Sequence, residues 1–173
     1  MPKNPFHIIV LALLLLSSCH SLLPSSEEKT TEDLTPYLSA SLTPKQQVSL
    51  HLTREGQEAL LRGALLEASN RLTKAIDLDP TNPFPFYYLG EIHYQRSQYQ
   101  QSLTFLEKAK GLFRNNHTWL SKVYALMGVN YEALGDLTAA QESFGEALDE
   151  DRSNILAEEG LSRVNRLQPQ RGD

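Results

Sequence analysis

GQEALLRGALLEASNRLTKAIDLDP, residues 56–80, is the stretch whose reading decides the fold. Its small residues are spaced: Gly56, Ala68 twelve positions on, Ala75 seven further and Pro80 five further. The same steps begin at Gly90, giving Ser102, Ala109 and Arg114, and at Gly128, giving Ala140, Ala147 and Arg152. Other columns keep the register. Leu52, Phe86 and Tyr124 lie four before each glycine, Ala59, His93 and Tyr131 three after, and Leu72, Leu106 and Phe144 three before the last alanine of each unit. The first two units are offset by 34 residues and the third by 38. A repeat of this length means that each unit is one supersecondary element that buries its apolar face only by stacking on its neighbours.

This pattern resembles the tetratricopeptide repeat, a helix-turn-helix unit whose helices cross closely at small residues. Gly56, Gly90 and Gly128 remove a side chain at the crossing, and Ala68, Ser102 and Ala140 do so on the second helix. Gly63 and Gly135 match the turn between the two helices, and Asp79-Pro80 matches the end of a unit. Ser97 stands where the second unit would have its turn glycine, and Arg114 and Arg152 stand where the family has proline. The resemblance implies an all-α, TPR-like helical-hairpin solenoid of three repeats plus a C-terminal capping helix, and a plain helical bundle is the rival fold. The spacing predicts helices over 44–62, 64–79, 83–97, 99–113, 117–134, 136–150 and 154–168, with units at 49–82, 83–116 and 121–154 and the cap at 154–168. Thr43-Pro44 with Gln46 forms a capping box for the first helix. In the cap, Ile155, Leu156, Leu161, Val164 and Leu167 form the expected apolar side, facing away from Glu158, Glu159, Arg163 and Arg166. Four extra residues fall within "GLFRNNHTWLSK", between units two and three.

Upstream of the repeat the chain changes character. Lys3 precedes nine unbroken apolar residues, Ile8 to Leu16, too few for a bilayer-spanning helix of about 20 residues. A basic start, a short apolar run and small residues make a secretory signal peptide, expected over 1–18. Leu16-Ser17-Ser18-Cys19 resembles the bacterial lipobox, which implies cleavage before Cys19, the chain's sole cysteine, and lipid on its sulfur. Two or three acyl chains suffice for a stable anchor, because each buried methylene contributes about 0.8 kcal/mol. His20 stands where Asp resembles an inner-membrane retention signal, so an outer-membrane position facing the periplasm is expected. Residues 20–43, rich in Ser, Thr, Pro and acidic groups, read as a disordered tether with a reach of about 25–30 Å. The segment 19–43 is therefore the lipidated Cys and its tether, 44–168 the repeat domain, and 169–173 a tail.

Several functions are excluded by what the chain carries. The formal net charge is −5, and losing residues 1–18 removes only Lys3, so no nucleic-acid partner is expected. The histidines are scattered without metal-ligand spacing, and no nucleophile elbow or phosphate loop occurs. No catalytic residue, metal, cofactor or small-molecule substrate is expected. Asn116-His117-Thr118 and the terminal Arg171-Gly172-Asp173 match short recognition patterns that arise by chance.

In the resembling family the first helices of successive units line a concave groove for a peptide. The resemblance implies groove positions at Thr53, Gln57, Leu60 and Leu61, at Tyr87, Glu91, Tyr94 and Gln95, and at Ala125, Val129, Glu132 and Ala133. Tyr87 and Tyr94 admit two roles, partner contact or packing between units, since tyrosine offers rigid apolar area with a hydroxyl. Phe84 and Trp119 precede units two and three as candidate junction plugs. The basic clamp with which some family members hold a peptide carboxylate is not reproduced, which disfavours a receptor for chaperone tails. The expected function is a lipid-anchored, non-catalytic adaptor or assembly factor of the bacterial cell envelope, of the pilus or secretion-accessory type. It would hold a protein or peptide in its groove and the membrane through Cys19. A regulator of peptidoglycan enzymes and a self-assembling scaffold are the alternatives.

Overall fold

The computed structural model describes Leu34, Tyr37 and residues 41–167. The expected signal peptide, Cys19, most of the expected tether and the tail lie outside the described residues. Among the described residues seven helices follow in order: α1 (Pro44–Leu61), α2 (Leu65–Leu78), α3 (Phe84–Gln95), α4 (Tyr99–Phe113), α5 (His117–Leu134), α6 (Leu137–Glu150) and α7 (Ile155–Leu167). Their ends fall within two residues of those read from the spacing. Helix α1 opens on the expected box: the amide of Thr43 donates to Gln46 Oε1 at 3.0 Å and the amide of Gln46 donates to Thr43 Oγ1 at 3.4 Å.

The helices pack as antiparallel pairs, α1 with α2, α3 with α4, and α5 with α6, and α7 closes on the third pair. At each crossing a glycine faces one large side chain. A Cβ on Gly56 would lie 2.7 Å from Leu72 Cγ, one on Gly90 2.8 Å from Leu106, and one on Gly128 2.6 Å from the Phe144 ring. No real Cβ tolerates such distances, so these positions admit only glycine unless the partner moves. Ala68, Ser102 and Ala140 are fully buried on the facing helices, and Ser102 Oγ donates to the carbonyl of Gly90 at 2.7 Å. Phe144 does double duty, because a Cβ on Gly160 of α7 would also overlap its ring.

Turns between paired helices need a left-handed residue. Gly63 and Gly135 take it at φ 74° and 80°, and Ser97 takes it at φ 57°. A side chain in that region costs on the order of 1–3 kcal/mol, more than glycine's entropy penalty. Ser97→Gly is therefore expected to stabilise the protein by about 1 kcal/mol, seen as a melting temperature raised by a few degrees.

A column of asparagines joins one unit to the next. Asn82, Asn116 and Asn154 each lie seven residues after the alanines Ala75, Ala109 and Ala147. Each accepts through Oδ1 from an amide in the first turn of the following helix, at Phe84, Trp119 and Ala157 respectively. The amide nitrogen of Asn82 reaches back to Ser49 Oγ at 2.9 Å and Thr53 Oγ1 at 3.2 Å, and that of Asn154 reaches Ser121 Oγ at 2.8 Å. Ser49 and Ser121 in turn donate to the carbonyls of Ala75 and Ala147. The four-residue insertion is absorbed here. From capping Asn to core Gly is eight residues at Asn82–Gly90 and twelve at Asn116–Gly128, about one extra helical turn at the start of α5.

Two sequence expectations need correction. In α7 the buried line is Ala157, Gly160 and Val164, with Leu161 half-buried, whereas Ile155, Leu156 and Leu167 are exposed. Close approach to Phe144 selects the small residues, so the bulkier apolar ones turn outward. Within the segment read as a tether, Leu34 is 3% exposed and Tyr37 packs on the domain. The Tyr37 ring meets Phe84 edge-on at 4.6 Å, and Phe84 meets Phe113 and Trp119 at 5.3 and 5.0 Å. Phe113 stacks on Trp119 at 5.2 Å, so Phe84 and Trp119 do plug the junction.

Candidate protein-binding groove

The first helices of successive units pack side by side, α1 on α3, α3 on α5 and α5 on α7, and form one continuous face. Of the residues assigned to that face, five are interior. Thr53 is fully buried, with its hydroxyl donating to the carbonyl of Ser49 at 2.8 Å and accepting from Asn82. Gln57, Leu60 and Val129 are also buried, as is Ala125. Helical spacing assigned them to the groove, but they lie in the interior, Thr53 held by Asn82 at the junction with the next unit.

The other assigned residues reach solvent. Tyr87, Glu91, Tyr94 and Glu132 are half-buried and Gln95 is exposed, as is Ala133, with Leu61 half-buried. Tyr87 is mainly a packing residue, edge-on to Trp119 and to Tyr88 at 5.3 Å each. Tyr94 leans on Tyr99, ring centres 5.8 Å apart. Glu91 accepts from Gln95 Nε2 at 3.4 Å.

Glu132 grips a residue that spacing did not nominate for the groove. Arg163 of α7 donates to it in a two-pronged pair, Nε to Oε1 at 2.6 Å and Nη2 to Oε2 at 2.7 Å. These hydrogen bonds raise the Arg163 pKa above its ordinary value, and Tyr94 lies close enough to act on the same guanidinium. Gly160 continues the glycine column 32 residues after Gly128, and Arg163 stands three places after it, in the column of Ala59, His93 and Tyr131 that the repeat does not assign to the groove, so spacing carried no signal for it. Beside Arg163 a shallow hollow of about 520 Å³ runs along α7, lined by Ile155, Glu158, Glu159, Ser162 and Arg166. Tyr94, Gln95, Glu91, Glu132 and Arg163 thus offer an aromatic ring, an amide and a neutralised acid–base pair on α3, α5 and α7.

Residues 85–152 match the model of the tetratricopeptide repeat. The domain has the tetratricopeptide-repeat fold. The chain is 30% identical over 118 residues, 68% of its length, to heat shock protein STI1 of Saccharomyces cerevisiae, and it spans only 20% of that relative. Among solved structures, the Arabidopsis OM64 TPR domain superposes with a TM-score of 0.66 at 22% identity, covering 72% of this chain and 99% of the other. The first TPR of Spaghetti (RPAP3), bound to the HSP90 peptide SRMEEVD, superposes at 0.65 with 23% identity, covering 70% and 94%. The N-terminal domain of stress-induced protein-1 from C. elegans gives 0.64 at 20% identity, covering 72% and 99%. At these identities the likeness speaks for the tetratricopeptide-repeat fold alone. Among the described residues no three His, Cys, Asp or Glu side chains cluster as metal ligands, and no helix is long and apolar enough to cross a membrane.

Proposed function

We propose that this protein is a non-catalytic module that binds a segment of a partner protein across α3, α5 and α7, tethered to the bacterial envelope by lipid on Cys19. The observation that carries the reading is the solvent-facing set Tyr94, Gln95, Glu91 and the Glu132–Arg163 pair on one stacked face. It offers aromatic contact area and polar groups without a nucleophile or metal cluster among them, the chemistry of recognition. The groove suits a neutral or basic segment with apolar side chains. An acidic tail such as the SRMEEVD peptide of the RPAP3 complex would meet Glu91, with Arg163 already engaged by Glu132. Chromatography of detergent-solubilised envelope on the immobilised domain tests this. Tyr94→Ala with Gln95→Ala should weaken retention of the bound protein about tenfold, as expected of a hot-spot tyrosine. Retention unchanged by both substitutions would remove the groove from the proposal.

The anchor rests on Leu16-Ser17-Ser18-Cys19 following the apolar run, and the outer-membrane, periplasm-facing position on His20. Cys19→Ser should move the protein to the soluble fraction or leave it unprocessed, scored by fractionation and intact mass. Full processing with membrane retention intact refutes lipidation.

Self-assembly is a second reading favoured by one observation, the exposed Ile155, Leu156 and Leu167 on α7. Sedimentation of the lipid-free protein decides it, since a monomer at tens of micromolar excludes the scaffold.

A further inference from the structure

The contact made by Leu34 and Tyr37 has the chemistry of a ligand in a site. Its origin lies in a break in the asparagine column. Seven residues before each core glycine, units one and three carry Ser49 and Ser121, whose hydroxyls accept from Asn82 and Asn154. Unit two has Pro83 at that place, which supplies no hydroxyl. The amide of Asn116 therefore turns to the hydroxyl of Tyr37, 2.9 Å away and 79 residues distant in sequence. Around it the Tyr37 ring lies against Phe84, with Phe113 and Trp119 behind, and Leu34 is buried in the same core cluster. The amide of Tyr37 donates to the carbonyl of Leu34 at 3.0 Å, which keeps the two residues in one turn.

We infer that the junction of units two and three is a peptide-binding pocket for an aliphatic residue followed three positions on by tyrosine, filled in this chain by Leu34 and Tyr37 and open to exchange with a partner segment of the same pattern. Exchange is feasible because the occupant belongs to no helix of the solenoid and the asparagine it satisfies needs only a hydroxyl in the right place. A resident segment on a short link acts at an effective concentration of roughly millimolar, so a free competitor sees a largely closed site. Trp119, the sole tryptophan, backs the Phe84 ring that Tyr37 touches and also meets Tyr87, so its emission reports occupancy.

The probe is a labelled synthetic peptide of residues 31–40, TEDLTPYLSA, titrated into the full chain. The Leu34→Ala/Tyr37→Ala variant should bind it saturably with a change in Trp119 emission, and wild type at least tenfold more weakly. A peptide with phenylalanine in place of tyrosine should bind the vacated chain about fivefold more weakly, the worth of one hydrogen bond, and Asn116→Ala in that background should abolish the difference. Absence of saturable binding by a vacated chain with wild-type circular dichroism overturns the inference, and so does equal binding by wild type. If the double variant loses its helical signal, Tyr37→Ala alone is judged by the same criteria, and loss of the fold in both means that the segment is structural and the pocket not exchangeable.

Discussion

Phe144→Ala should lower the free energy of unfolding by about 3–5 kcal/mol, the range for deleting a buried phenylalanine. The ring is fully buried and lies against Gly128 on α5 and Gly160 on α7. Its loss opens a cavity at a point where neither helix has a side chain with which to fill it. Urea unfolding followed by circular dichroism measures the change, with the slope unaltered. A loss near 1 kcal/mol would show that the three helices do not depend on this wedge. The wedge makes a second, sign-specific expectation. Alanine normally favours a helix over glycine by about 1 kcal/mol, yet Gly160→Ala should destabilise by about 1–3 kcal/mol because its methyl overlaps the ring. In a Phe144→Leu background the same substitution should cost much less, and a double-mutant cycle isolates the coupling.

Asn82→Ala should cost about 2–3 kcal/mol, from the lost cap and two buried hydroxyls left without their donor. Asn82 is 5% exposed, caps α3 through Phe84 and holds Ser49 and Thr53 of the preceding unit. Asn82→Asp separates the two roles, since a carboxylate keeps the cap and cannot donate to the hydroxyls. It should recover the cap and still lack the inter-unit contribution. Equal stability of Asn82→Asp and wild type would show that the hydroxyl contacts add nothing. The site at Asn154, more exposed and with one hydroxyl partner, should respond more weakly to the same changes.

The helices and their pairing were legible because small residues at fixed intervals leave few ways to bring two helices within touching distance. Gly56, Gly90 and Gly128 each face the large residue that the register had aligned with them. The groove was half legible. Carrying positions from unit to unit identified a side of each helix, and Tyr94, Gln95, Glu91 and Glu132 do reach solvent there. Thr53, Gln57, Leu60, Ala125 and Val129 do not, being buried in the solenoid, and Thr53 is consumed by Asn82. Arg163 was missed because it stands three places after Gly160, in a column that the repeat does not assign to the groove, and only its pairing with Glu132, 31 residues away, brings it to this face.

Local spacing is enough to specify helix ends, the crossing glycines and the capping box at Thr43, because each depends on residues near one another in the chain. Which side chains stay available to a partner is decided by contacts between residues tens of positions apart. Asn82 with Thr53, Glu132 with Arg163 and Asn116 with Tyr37 are separated by 29, 31 and 79 residues. A polar group's spare hydrogen-bonding capacity is settled only when its neighbours are in place, and in this solenoid those neighbours come from the adjoining unit or from the segment before the first helix.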